Sequence, residues 1–120
     1  MSSTDTHTNT HKIFGPYMDT IRKVEEILRQ GMDEEVARAI APFIVIAHNF
    51  GRGDAWAGLI LLNMVRAYPD IIDKLHEALK RSGVEVMKPR LRTHFMLFVM
   101  IRDATNLLAK RHPELRQILR

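Results

Sequence analysis

Apolar positions recur along this chain with a period near 3.6 residues, and in three stretches they cease to alternate with polar ones. Tyr17, Ile21, Val24 and Leu28 fall at helical spacing, with Arg22, Lys23, Glu25, Glu26 and Arg29 on the other side. This predicts an amphipathic first helix opened by Pro16 and supported by Glu25 and Arg29 at an i,i+4 interval. Gly31 reads as its C-terminal cap, and Asp33 with Glu34 and Glu35 as the cap and acidic first turn of a second helix. That second helix runs through Val36, Ile40 and Ile44 towards Phe50. Pro42 inside it predicts a kink or break, because proline lacks an N–H donor and crowds the preceding turn.

Asn49-Phe50-Gly51-Arg52-Gly53-Asp54 carries two glycines to reverse the chain and an aspartate to cap a third helix, forming a tight helical hairpin. Ala55, Ala57 and Gly58 let the two backbones approach closely. The third helix ends near Tyr68-Pro69, and a fourth follows Asp70, with Ile71, Leu75 and Leu79 opposite Lys74, Glu77 and Arg81, until Gly83. Val84–Lys88 alternates like a strand, but one short strand makes no sheet within a monomer. Pro89 then opens a fifth helix, Leu91 to about Lys110, and His112-Pro113 separates it from a last turn or two containing Leu115, Ile118 and Leu119. The expected fold is an all-α, compact bundle of five or six helices with a central apolar helical hairpin, completed by self-association. Residues 1–15 are expected to form a disordered tail, because Met1–His11 holds almost nothing to bury, and residues 16–120 a single helical domain.

The over-apolar stretches are Phe43–Ala47, Ala55–Val65 and Phe95–Ile101. A helix apolar on every side is normally buried on every side, and a domain of this size has room for one such helix. Part of that surface is therefore expected to meet another chain, a homodimer being favoured. On the fifth helix Arg92, Met96, Val99, Asp103, Asn106 and Lys110 align along one face, polar at both ends and apolar between. Met96, Val99 and the adjoining Met100 are accordingly the expected oligomer interface, while Leu97, Phe98, Ile101 and Leu108 serve the core.

Charge adds a second clue. Residues 1–79 hold eight Lys/Arg and eleven Asp/Glu, whereas residues 80–120 hold ten Lys/Arg against Glu85, Asp103 and Glu114. A basic third of a chain can gather phosphates through counterion release. The expected nucleic-acid contacts are Lys80, Arg81, Lys88, Arg90 and Arg92, with Lys110, Arg111, Arg116 and Arg120 as a second cluster. They would touch phosphates and leave base edges unread. The 46% hydrophobic content supports a core, and the longest apolar run, Ile40–Ala47, is far short of the roughly 18 residues a membrane span needs. With no cysteine, and no basic and apolar leader at the start, the expected location is the cytoplasm.

No motif specifies catalysis. Arg52-Gly53-Asp54 spells an adhesion tripeptide but is explained by turn and cap chemistry, and Gly51-x-Gly53 is too short for a phosphate loop. Asp70, Asp73 and His76 lie three apart on one helix face without a matching motif elsewhere, so they read as solvated helix, with no metal or cofactor expected. His48 and His94 sit among apolar neighbours, where a neutral imidazole bonded to backbone is the commoner outcome. The serines, Ser2, Ser3 and Ser82, have no base at recognisable spacing, and an enzyme is not expected. Glu35–Ile40 resembles the first helix of a helix-turn-helix, yet the apolar Phe43–Ala47 cannot serve as a recognition helix. The reading that remains is a non-enzymatic, oligomeric accessory or regulatory subunit that binds nucleic acid. The alternative is an adaptor whose apolar patch binds a different protein.

Overall fold

In the computed structural model, which describes residues 14–120, all regular structure is helical. A 3-10 turn at Gly15–Tyr17 leads into α1 (Met18–Leu28), followed by α2 (Glu34–Gly51), α3 (Ala55–Ala67), α4 (Ile71–Arg81), α5 (His94–Arg111) and the short α6 (Glu114–Ile118). The all-α bundle expected from the hydrophobic pattern is therefore the fold, with six α-helices among the described residues. The expected tail lies almost wholly outside those residues. Its last two positions do not behave as tail, since Phe14 packs against the core and Gly15 opens the 3-10 turn.

α2 is the axis around which the others assemble. It packs against α1, α3, α4 and α5, and Ile40, Ala41, Ile44, Val45, Ile46 and Ala47 are each no more than 1% exposed. Asp33 caps it by accepting from the Glu35 N–H at 2.9 Å. Pro42 does not break α2, which is helical from Glu34 through Gly51. One interior proline costs about 3 kcal/mol, and neighbours on several sides bury enough apolar surface to outweigh it.

The glycines divide by role. Gly31 is not the left-handed cap expected from the sequence, because only Gly53 and Gly83 have positive φ among the described residues. A Cβ on Gly31 would stand 3.1 Å from the His112 ring, so that position is small because the end of α5 packs over it. Gly83, at φ 75°, closes α4: its N–H reaches the Lys80 carbonyl and the Val84 N–H reaches that of Leu79.

Gly53, at φ 93°, turns the α2–α3 hairpin, and Asp54 caps α3 by accepting from the Trp56 and Ala57 N–H groups at 3.0 and 3.3 Å. The same carboxylate accepts from the buried Tyr17 hydroxyl at 2.6 Å, fastening the chain ahead of α1 to the hairpin. Burial and this bond push the Tyr17 phenol up to about 12. The Tyr17 bond and the two backbone donors hold Asp54 below the usual carboxylate range.

Gly58 packs directly against the end of α2: a Cβ there would lie 2.7 Å from the Phe50 ring. That ring is held edge-on to Phe98 at 5.2 Å between centroids and tilted against His94 at 6.1 Å, so it has little room to yield. Gly58→Val is expected to destabilise the fold by about 1–3 kcal/mol through overpacking, read as a lower urea midpoint. An unchanged midpoint would mean that the hairpin tolerates a wider spacing.

Between α4 and α5 the chain forms no strand. Residues 84–93 run as irregular chain tied to α4: Asp73 holds both Lys88, at 2.8 Å, and Arg92, and the His76 ring bonds the Val86 carbonyl at 3.0 Å. α5 begins at His94, not Leu91, because Thr93 supplies the cap, its hydroxyl accepting from the Met96 N–H at 3.1 Å. Asp73 and His76 are thus engaged with the linker.

The apolar excess emerges only in part where the sequence places it, at Trp56, Leu59 and Phe95 within two of the three over-apolar stretches. Met100, expected at an interface, is 1% exposed and belongs to the core with Leu97 and Ile101. Met96 and Val99 are half-buried. The large apolar side chains that face solvent are Trp56 and Leu59 on α3, Tyr68 after it, Met87 and Leu91 in the linker, and Phe95 on α5. No helix among the described residues is long and apolar enough to cross a membrane.

Candidate nucleic-acid interface

The nine cations singled out in the basic third separate into four groups. Lys88 and Arg92 are both turned onto Asp73, and together they hold its carboxyl below the usual range. Arg111 donates to the Ser82 and Gly83 carbonyls at 3.0 and 2.5 Å, satisfying the end of α4. This contact brings the ends of α4 and α5 together, with Lys80, Arg81 and Lys110 exposed on them as cations at helix C-termini. Arg90 is exposed on the linker, away from either helix body. Arg81 also borders a hollow with Gly31, Met32 and Asp33; Arg120 follows α6, and Arg116 on α6 stands beside a different concave surface.

That surface is built by the second half of α2 and by α5. A cleft of about 350 Å³ is lined by Ala47, His48, Gly51 and Arg52 from the α2 side and by Phe98, Arg102, Thr105 and Asn106 from α5. A second hollow continues it past His48, Thr105 and Asn106 to Arg116 and Leu119. On α5 the residues Phe95, Phe98, Arg102, Thr105 and Asn106 fall within about 100° of one another, and they span about 16 Å of helix. One end of this face is therefore aromatic and the other polar.

Local contacts pre-position the groups. The Arg102 guanidinium lies over the Phe98 ring at 5.5 Å from its centroid, and Phe95 tilts against Phe98 at 5.9 Å. Arg102 also meets Asp103 at 3.6 Å, a half-exposed pair worth little in water. Arg52 caps α2 and donates to the Arg120 carbonyl, which joins the hairpin turn to the chain after α6. The Thr105 hydroxyl donates to the Ile101 carbonyl at 2.8 Å, leaving its oxygen as an acceptor. His48 is held below the ordinary histidine range by burial and by the nearby Arg52 charge, and its shielded Nε2 has no hydrogen-bond partner. No carboxylate is among the residues lining the cleft.

Comparison of the chain with protein families, curated proteins and solved structures found no match. The chemistry of the face is what remains to be read. Two guanidinium groups with a third beyond them suit phosphate. An exposed aromatic ring beside them suits a base plane, and an amide with a hydroxyl suits a base edge.

Of these residues, sequence reasoning singles out Arg116 as a nucleic-acid contact and, in another role, His48. It assigns Arg52 to the turn, Phe98 to the core and Asn106 to the neighbouring stripe through Met96 and Val99, and gives Arg102 and Thr105 no role. The signal was present: Phe95, Phe98, Arg102 and Asn106 follow helical spacing as well as that stripe does.

Proposed function

We propose that this protein is a non-enzymatic accessory or regulatory subunit that binds single-stranded nucleic acid along the α5 face. The observation that carries the reading is the convergence of Arg52, Arg102 and Arg116 on a carboxylate-free cleft continuous with the exposed Phe95 and half-buried Phe98. Phosphates would be held by the guanidinium groups and a base would stack on Phe95, a combination that favours an unpaired strand. Lys80, Arg81 and Lys110 at the far helix ends would extend the positive field without shaping the site.

Fluorescence anisotropy of labelled single-stranded and duplex oligonucleotides across a salt series tests it. Three phosphate contacts predict a log–log salt slope of about −2 for a single strand, with weaker binding of the duplex. Equal affinity for both forms would remove the role of the aromatic end.

Self-association belongs to the same reading, with the contact moved to the outer side of α3. There Trp56, Leu59, Ile60, Asn63, Met64, Ala67 and Tyr68 line a hollow of about 360 Å³ on a helix whose sole charge is Arg66. A knob and a hollow on one helix suit a two-fold contact. Sedimentation velocity should show a concentration-dependent dimer that Trp56→Glu dissociates; a monomer at all concentrations would leave the hollow to the adaptor reading.

A further inference from the structure

We infer that the cleft between α2 and α5 seats one unstacked nucleotide of the bound strand, its phosphate between Arg52 and Arg102 and its base edge against Asn106 and Thr105. The inference rests on the nucleic-acid reading and adds to it a unit size and a mode of contact.

Size is the first argument. At about 350 Å³ the cleft lies near the lower end of small-molecule sites, a size that suits a single nucleotide. The second is the division of its lining. Its lining is partly apolar, from Ala47, Gly51 and Phe98, and partly polar, with two guanidinium groups, an amide, a hydroxyl and an imidazole. An inorganic anion would use the guanidinium groups alone. A nucleotide uses both parts, because single-stranded bases are read by stacking on aromatic or arginine planes and by hydrogen bonds to their edges.

The third argument is pre-organisation. Packing over Phe98 holds the Arg102 guanidinium at 5.5 Å from the ring centroid and so fixes it for the phosphate. The exposed Asn106 supplies a donor and an acceptor, and the committed Thr105 proton leaves that hydroxyl as an acceptor.

The test is a nuclear magnetic resonance titration of the full chain, following backbone amides, the Asn106 side-chain amide and the arginine Nε–H groups at low salt. Adenosine monophosphate, adenosine, inorganic phosphate and a short single strand are added separately. The inference expects the monophosphate and the strand to shift the same Gly51, Arg102 and Asn106 signals, with phosphate moving the arginine signals alone. Asn106→Leu is expected to weaken the monophosphate about tenfold while leaving phosphate unaffected, and Arg102→Gln to weaken both. Phosphate matching the monophosphate in affinity and in shift pattern would reduce the site to an anion site and overturn the inference. Strand binding with the cleft signals unmoved would overturn it while leaving the nucleic-acid reading in place. Failure of both strand and monophosphate to bind would remove both.

Discussion

Arg102→Glu combined with Arg116→Glu is expected to lower affinity for a single-stranded oligonucleotide by about 10- to 100-fold at low salt and to flatten the salt slope by about 1.4. Arg102 lines the main cleft and Arg116 its continuation, so the double change removes two phosphate contacts and puts like charge in their place. Both side chains are exposed, and the fold should survive, as helical circular dichroism and the thermal midpoint would show. Arg90→Glu with Arg92→Glu is the informative contrast. Judged from charge along the chain, that pair stands at the centre of the basic cluster. Arg92 is instead committed to Asp73, so its replacement is expected to loosen the linker and to cost much less binding. If anisotropy showed the reverse order, the strand would run over the α4–α5 linker and the α5 face would lose its role.

Asp54→Ala is expected to destabilise the protein by about 1.5–5 kcal/mol. It removes the cap of α3, worth about 0.5–2 kcal/mol, and leaves the buried Tyr17 hydroxyl without its acceptor, worth about 1–3 kcal/mol. Tyr17→Phe tests the second part alone and should cost less, since Asp54 keeps both backbone donors. Urea denaturation reads both variants. Equal effects would show that the cap contributes little and the tyrosine bond nearly everything.

The same pair sets two pH limits. Asp54 has a folded-state pKa below its unfolded value, so its contribution is present above the unfolded carboxylate pKa of about 4. It is lost as pH falls through the lower folded value. Tyr17, raised to about 12, contributes fully below the unfolded value of about 10 and loses that contribution as pH rises towards the folded one. The Asp54→Ala variant should show a shallower acid-side decline than the parent.

Much of the architecture is legible in the residues because local signals and burial agree. Asp33, Gly53, Asp54 and Gly83 mark helix ends that the structure places where cap and turn chemistry put them. Where sequence reasoning departs from the structure, a tertiary contact has overruled a local rule. Pro42 sits in a continuous helix because α2 is enclosed by its neighbours, and Gly31 is small for the sake of His112, about eighty positions away. Pro89 does not open α5: Asp73 ties the linker to α4 through Lys88 and Arg92, and Thr93 supplies the cap.

The candidate site was less legible for a related reason. Counting cations finds Lys88, Arg92 and Arg111 but cannot show that Asp73 and the end of α4 already hold them. The cleft depends on α2 lying beside α5, which brings His48 and Arg52 to Arg102 and Asn106 from about fifty positions away. Helical spacing within α5 could have singled out Phe95, Phe98 and Arg102 as one face. It could not have supplied the opposite wall.

The most direct test of a strand lying along α5 is photocrosslinking of a single-stranded oligonucleotide carrying 5-bromouracil, with the modified peptides located by mass spectrometry. The account predicts crosslinks in the peptide containing Phe95 and Phe98, lost when Phe95 is replaced by Leu. Crosslinks confined to residues 80–92, or none at low salt, would contradict it.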